Sequence, residues 1–575
     1  MGTASKKRIY IILAMLYMVF LLLFLRLAHL QLVMGDQLSV EAVKNHTSLI
    51  AGEDVPRGCI LDRNGLTITD TRVTPTLMLF PEILGKDEEI WRLSEILGVP
   101  KSVIRGKVKG NNNFIPNLSR DQVREIESAN IMGAYVIPLK TRYGPGSLAR
   151  HIVGHVNNMD EEAWDDILKK DLPDKNEEDR YKITDIIGVK GIEKIYEKYL
   201  RGETPEFYWL ASSDAHGRVI PGLSFKQFVT ETSIGRNQVV LTLDSFIQGK
   251  VEEVMDSRDI RGAVVVMDVF TGDVLAMASR PNYDQNVLGV YLDSAAEGQE
   301  NAFNNRALDP YHPASIFKIL IAAAALEEGV VDPWEEFFCK GEYVFDSGLV
   351  MNCWNKGGHG RINFKESLAH SCNCVFIELA LRLGREKIME YSEKLHLNNT
   401  EVIGYPVPAF KSVNIAPYGE GKIGNAALGQ EGVRLSPLQI SVLVSTIANG
   451  GLCVKPRLLR EIRGPQGDTI KEFKRGKGDR TLSEKTALEL QEMLFCTTQW
   501  GTGVNAWIPG YGSAGKTGSA ETGSHGAKIN AWFAGYIPLD EPRYTVVVLA
   551  EGGRSGGDTA APVFKEIGDF IMKIQ

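Results

Sequence analysis

Beyond Lys6-Lys7-Arg8 this 575-residue chain has no run of more than two consecutive basic residues, and its formal net charge is −8. A protein whose main partner is nucleic acid needs clustered Lys and Arg, so that class is set aside. Internal repeats and low-complexity tracts are also missing. What remains is a globular composition, 44% hydrophobic and 24% charged, with length for several domains and a sizeable core. Cysteine is scarce: there are seven, and no Cys-x-x-Cys pair occurs among them. Two histidines, His151 and His155, stand four apart in HIVGH, but no Glu follows the first. The zinc-protease pattern is therefore absent, and a structural role is expected for both.

Long apolar runs are absent too, with one exception. Lys6, Lys7 and Arg8 precede Ile9–Leu25, which carries no charge, and an apolar pattern continues to Val33 around Arg26, His29 and Gln31. No small-x-small cleavage site follows, and the run is long for a signal peptide. The expectation is an uncleaved transmembrane anchor over 9–33, with Arg26 reaching toward the far interface. Its basic flank holds residues 1–8 in the cytoplasm and places everything after Val33 outside.

Three textures follow the anchor. In VPRGCILDRNGLTIT, 55–69, apolar residues flank Asn64-Gly65, a hairpin signal. Residues 70–235 then mix short strands with helices such as Glu88–Leu97 and Asp121–Ser128. From 236 the pattern is cleaner. RGAVVVMDVFTGDVLAMAS, 261–279, predicts two strands joined at Thr271-Gly272-Asp273, and 510–551 predicts three more. Helices lie between these strands, and a last helix is spaced by Val563, Ile567, Phe570 and Ile571. Strands at both ends of a helical middle predict one antiparallel sheet covered by helices, an α+β domain.

The chemistry concentrates in three short motifs. HPASIFKIL, 312–320, sets Ser315 and Lys318 on one face of a helix over 314–328 that is apolar nearly all round. Burial disfavours the lysine's charge and makes it a proton acceptor at neutral pH, so a nucleophile and a base lie together. Ser before an apolar helix is equally a capping signal, and a second Ser-x-x-Lys occurs at Ser513–Lys516. HSCNC contains Ser371 and Asn373, which a short extended turn would aim one way while Cys372 points the other. GKTGSAET places Lys516 and Thr517 before Gly518 in a strand-like context, where the glycine would admit a ligand close to the backbone.

Taken in order, Ser315-x-x-Lys318, Ser371-x-Asn373 and Lys516-Thr517-Gly518-Ser519 resemble the signature of penicillin-binding proteins and serine β-lactamases. RGCILDRNG, GVKGIEKIYEKYLRG, GQEGVRLSPLQ, Gly501-Thr502-Gly503 and AWFAGY extend the resemblance over most of the chain, to the class B penicillin-binding proteins and most nearly their elongation-type penicillin-binding protein 2 group. Ala314 stands where that family usually has Gly, and Ser519 where Thr is common. The resemblance implies a cytoplasmic tail at 1–8, an anchor at 9–33, a non-catalytic pedestal of dimerisation type at 34–235 and a transpeptidase domain at 236–575. It implies that Ser315 attacks the bond between the terminal D-alanines of a peptidoglycan stem peptide and is acylated by β-lactams. Lys318 would take the serine proton, Ser371 and Lys516 would pass one to the leaving amine, and Asn373 would hold Lys318 and the substrate amide. Thr517 and Ser519 would bind the terminal carboxylate, and the N–H groups of Ser315 and Ser519 would form the oxyanion hole. No cofactor is required for this chemistry. A membrane glycosyltransferase of the shape, elongation, division and sporulation family is the implied partner. A β-lactamase-like hydrolase would lack the 34–235 module, and a β-lactam sensor would need several membrane spans.

Four of the seven cysteines fall between 339 and 374. Cys339, Cys353, His359 and Cys372 supply three thiols and an imidazole, a full tetrahedral zinc set that would fix the turn carrying Ser371 and Asn373. The alternative in an oxidising compartment is a Cys339–Cys353 disulfide.

Overall fold

The protein was analysed as a computed structural model. It describes every residue except 1–2, 31–33, 35–46, 70–71, 80–83, 85–86, 110–112, 132, 160–180, 182–184, 203–206, 213–225, 230–235, 290, 292–300, 399, 418, 523–527 and 575. Thr3–Ala28 is one helix. Its Tyr10–Ala28 stretch has a mean hydropathy of 2.6 and none of it is buried within the protein. Among the described residues it is the one helix long and apolar enough to cross a membrane. Residues 31–33 of the expected anchor lie outside the described residues.

Two compact units interleave along the chain. One holds residues 1–56, 73–141 and 203–233; the other holds 57–72, 142–202 and 234–575. In the first, helix Arg120–Ala129 opens on a capping box in which the Ser119 hydroxyl and the Gln122 side chain each accept from the other's backbone N–H. Its buried Ile126 packs with Leu77, Leu79, Leu93 and Ile104. Helix Asp87–Leu97 lies where the spacing predicts it.

The second unit begins with the Asn64-Gly65 turn. Asp62 Oδ1 accepts the N–H groups of Asn64 and Leu66 at 2.7 and 2.8 Å, and Gly65 takes φ +85°. The hairpin is minimal: Leu61 bridges Thr67, and Ile60-Leu61 runs parallel to Val239-Val240. Near it Glu193 is fully buried, yet its carboxylate accepts from Arg57 Nε at 2.9 Å, from Arg142 Nε and from Tyr143 Oη at 2.8 Å. A buried carboxylate survives only with such donors, and their charges hold Glu193 below the usual range against the cost of burial. His151 and His155 are buried against Tyr283, and desolvation lowers both to about 4. The structural role expected for them is what the packing shows.

Five antiparallel strands form the main sheet, ordered Val274–Arg280, Gly262–Asp268, Tyr544–Gly553, Lys528–Ile537, Ala514–Thr522. Helices cover both faces, which is why YTVVVLA reads as a continuous apolar run instead of alternating. Val546 and Val548 pack with Ile247, Val251, Phe564 and Ile567 on one side. Val547 and Leu549 pack with the Lys318–Glu327 and Pro437–Ala448 helices on the other. In the last helix, Ala561–Ile574, Phe564 is buried and Phe570 only half-buried, a small shift from the predicted stripe. The α+β sheet covered by helices is as expected, and Ala514–Thr522 lies at its edge.

Candidate active site

The Ser315 segment departs from one uniform helix. Ala314–Phe317 is a 3₁₀ turn, and the α-helix starts at Lys318. The turn is entered through Ala314 at φ +49°, a left-handed conformation that suits glycine. Gly429 fixes that entry from outside: its carbonyl accepts the Ala314 N–H at 3.1 Å, and a Cβ on it would meet Ala314 O at 2.0 Å. Ser315 is left half-exposed in a cleft of about 660 Å³, while Lys318 just behind it is fully buried.

Lys318 Nζ donates to Asn373 Oδ1 at 2.7 Å, to Ser371 O at 2.9 Å and to Ser371 Oγ at 3.3 Å. Burial pushes this lysine down to about 8 despite the nearby thiols, which act in the other direction. Ser371 and Asn373 do converge, but not by an extended turn. Ser371 has φ +58°, Cys372 is extended, and Asn373 is the first residue of the Asn373–Lys394 helix. A left-handed residue followed by a helix start turns the two polar side chains toward Lys318 and buries Cys372 completely.

The third motif forms the edge strand. Lys516 is fully buried, Nζ donates to Thr517 O at 3.1 Å, and desolvation and then the Lys318 charge lower it well below its ordinary value. Thr517 shares a 2.6 Å hydrogen bond with Thr502 of the Gly-Thr-Gly turn. Ser519 Oγ accepts from Gly556 N at 3.0 Å. Gly518 differs from the expectation. The group that comes close is Pro313 O, 2.8 Å from where a Cβ would stand, so this glycine lets the strand press against the Ser315 turn. The competing pair dissolves: Ser513 is fully buried and donates to Ala506 O at 2.9 Å.

Beside the cleft, Cys339, Cys353, His359 and Cys372 bring one ligand atom each within 4.8 Å of one another. Cys353 Sγ lies 3.6 Å from His359 Nδ1 and accepts from Asn373 N at 3.4 Å. The neighbouring Cys372 and Cys374 thiols hold Cys353 well below the ordinary thiol value. All seven cysteines are free in the structure, Cys339 and Cys353 included. Cys374, passed over in the sequence, sits with its sulfur 3.5 Å from that of Cys339. Asn352 and Trp354 also line the cleft without any motif signal, and Thr502 is legible only as part of Gly501-Thr502-Gly503, with no role attached. Asn352 ends the short strand Val350–Asn352 and Trp354 follows Cys353, so local spacing gives neither a place in the cleft.

Comparison with known proteins gives two family matches. Residues 262–569 match the penicillin binding protein transpeptidase domain, and residues 53–227 match the penicillin-binding protein dimerisation domain. Stage V sporulation protein D of Bacillus subtilis is 28% identical over 98% of this chain and 85% of its own length. The peptidoglycan D,D-transpeptidase MrdA of Acinetobacter baumannii is 27% identical over 99% and 88%. Among solved structures, penicillin-binding protein A of M. tuberculosis, as its ceftriaxone acyl-enzyme complex, aligns with a TM-score of 0.54. It shares 26% identity over 58% of this chain and 79% of that one.

Proposed function

Because the chain belongs to the penicillin-binding protein transpeptidase family, we propose that it is a serine-type peptidoglycan D,D-transpeptidase, of the class B penicillin-binding protein 2 type. The carrying observation is Lys318 Nζ, held between Ser371 Oγ and Asn373 Oδ1 behind a half-exposed Ser315. Ser315 Oγ attacks the carbonyl between the last two D-alanines, and neutral Lys318 takes its proton. Ser371, with Lys516 near, returns a proton to the departing D-alanine amine. Asn373 holds the substrate amide. Thr517 and Ser519 bind the terminal carboxylate, with Gly518 between them, and the N–H groups of Ser315 and Ser519 stabilise the oxyanion. An amine of a neighbouring stem peptide then displaces Ser315 and completes the cross-link. β-Lactams acylate the same serine because they present a strained copy of that carbonyl. The test is exchange of the terminal D-alanine of a stem pentapeptide for a labelled D-amino acid. The wild type performs it and Ser315→Ala does not; exchange that survives this substitution defeats the assignment.

The modules follow the same reading: a cytoplasmic tail at 1–8, an anchor at 9–33 with the catalytic domain outside, a pedestal at 34–235 and the transpeptidase at 236–575. The apolar helix and its basic flank support that orientation. A shape, elongation, division and sporulation-type glycosyltransferase is the proposed membrane partner. Co-purification from the native membrane tests it, and the identity of the companion polymerase separates elongation, division and sporulation roles.

Zinc is the proposed occupant of the Cys339, Cys353, His359 and Cys372 cluster. Three sulfurs and one imidazole nitrogen suit Zn²⁺, their ligand atoms lie within 4.8 Å of one another, and His359 Nε2 is buried without a partner. The metal would be structural: Cys353 Sγ accepts from Asn373 N and Cys372 lies between Ser371 and Asn373 in sequence, so holding the two cysteines holds the Ser371–Asn373 turn. Metal analysis with a thiol count should find one zinc and no disulfide. No metal, with two thiols missing, would overturn the assignment.

A further inference from the structure

Along the edge strand, Thr517, Ser519 and Glu521 share one face, because strand side chains alternate, and all three line the cleft while Ala520 does not. The first two carry the hydroxyls assigned above to the donor's terminal carboxylate. Glu521 follows two residues on, about 7 Å further at strand rise. Lys528, paired with Thr522, belongs to the opposite face. Among the described residues that line the cleft, no side chain is cationic. The charged ones are Glu521 and Asp558, and the Asp558 carboxylate is held by the Ser555 hydroxyl at 2.8 Å.

The direction of the donor follows from burial. Ala514, Gly515 and Lys516 are buried, so a peptide with its carboxylate at Thr517 and Ser519 cannot continue that way. It must run past Ser519 toward the exposed Glu521, antiparallel to the strand, as added strands commonly do. With the carboxylate at the Thr517 end and the scissile carbonyl at Ser315, the residue before the penultimate D-alanine falls beside Glu521.

We propose that Glu521 is a specificity residue that selects donor stem peptides carrying a side-chain amine on the residue immediately before the penultimate D-alanine. The inference rests on the transpeptidase reading and deepens it. The row reads a dipolar ligand, with hydroxyls for an anion at one end and a carboxylate for a cation at the other. A neutral or acylated side chain at that position loses the ion pair and binds less well.

The test uses the full-length protein and two β-lactams with the same stem-like side chain, one ending in a free amine and one acetylated. The readout is the ratio of their acylation rates. The wild type should favour the free amine by about fivefold at low salt, the upper range for an exposed ion pair, and the ratio should shrink as salt rises. Glu521→Gln should bring it to about one, and Glu521→Lys should invert it. Equal rates on the wild type overturn the proposal. So does a ratio that survives Glu521→Gln and collapses only in Asp558→Asn. Adducts of both compounds at Ser315 in that case leave the transpeptidase reading standing. Absence of any adduct overturns both.

Discussion

Gly518→Ala isolates what the edge strand does for the Ser315 turn. The added Cβ would lie 2.8 Å from Pro313 O, 3.0 Å from Ile316 Cγ1 and 3.2 Å from Trp532 Cβ, where ordinary contact begins at 3.4 Å. The strand must therefore retreat by about 0.6 Å from the Ser315 turn, or the turn must yield. Neither is free to do so. Pro313 carries the carbonyl on the chain's entry to the turn, and Gly429 grips Ala314 on its far side. Overpacking of this kind costs about 1–3 kcal/mol in stability. The larger effect is on alignment, since Thr517 and Ser519 flank the substituted residue and move with it. A misplacement approaching 1 Å costs about 10²-fold in rate. Stopped-flow acylation with a fluorescent penicillin, alongside a thermal melt, reads both quantities. Acylation within about twofold of wild type and an unchanged melting temperature would refute the claim that the strand and the turn are pressed together.

Lys318 sits at about 8 through burial, so roughly a tenth of it is a free base at pH 7. Acylation should rise about tenfold between pH 7 and 9 and flatten above, and Lys318→Ala should nearly abolish it at every pH; a flat profile denies Lys318 the role of base. Ala314→Gly relieves a left-handed alanine and should stabilise the fold by about 0.5–1 kcal/mol by denaturant unfolding; a loss of stability would contradict the strain. Glu193→Ala leaves Arg57 and Arg142 buried without their shared carboxylate. It should cost about 3–5 kcal/mol, visible as a drop in melting temperature, and a neutral result would mean that other groups satisfy the two arginines.

What the sequence made legible follows from how local each signal is. The apolar helix behind Ser315, the Thr271-Gly272-Asp273 hairpin and the three C-terminal strands are short-range patterns, and they stand where the periodicity puts them. Ser315, Lys318, Ser371, Asn373, Lys516 and Thr517 were named from motifs, and the fold gathers them round one cleft. The Cys339, Cys353, His359 and Cys372 cluster was legible as a donor count, and the four side chains do come together. The rest depends on packing across long separations. Residues 57–72 and 142–202 join the unit that holds 234–575, a pairing invisible to local patterns. The left-handed backbone at Ala314 and Ser371 carries no composition signal, because neither is glycine. Thr502 meets Thr517 only once the Gly-Thr-Gly turn folds under the strand. Glu521 reads as a polar residue on an edge until Thr517 and Ser519 are seen to share its face.

The central claim is that Ser315 is the acylated nucleophile of an enzyme that passes its acyl group to an amine. Intact-mass and peptide mass spectrometry after penicillin treatment tests it most directly. The account predicts one stable adduct on the peptide containing Ser315, absent in Ser315→Ala and retained in Ser513→Ala. An adduct mapped to another residue, or penicillin turned over rapidly with no adduct trapped, would contradict it.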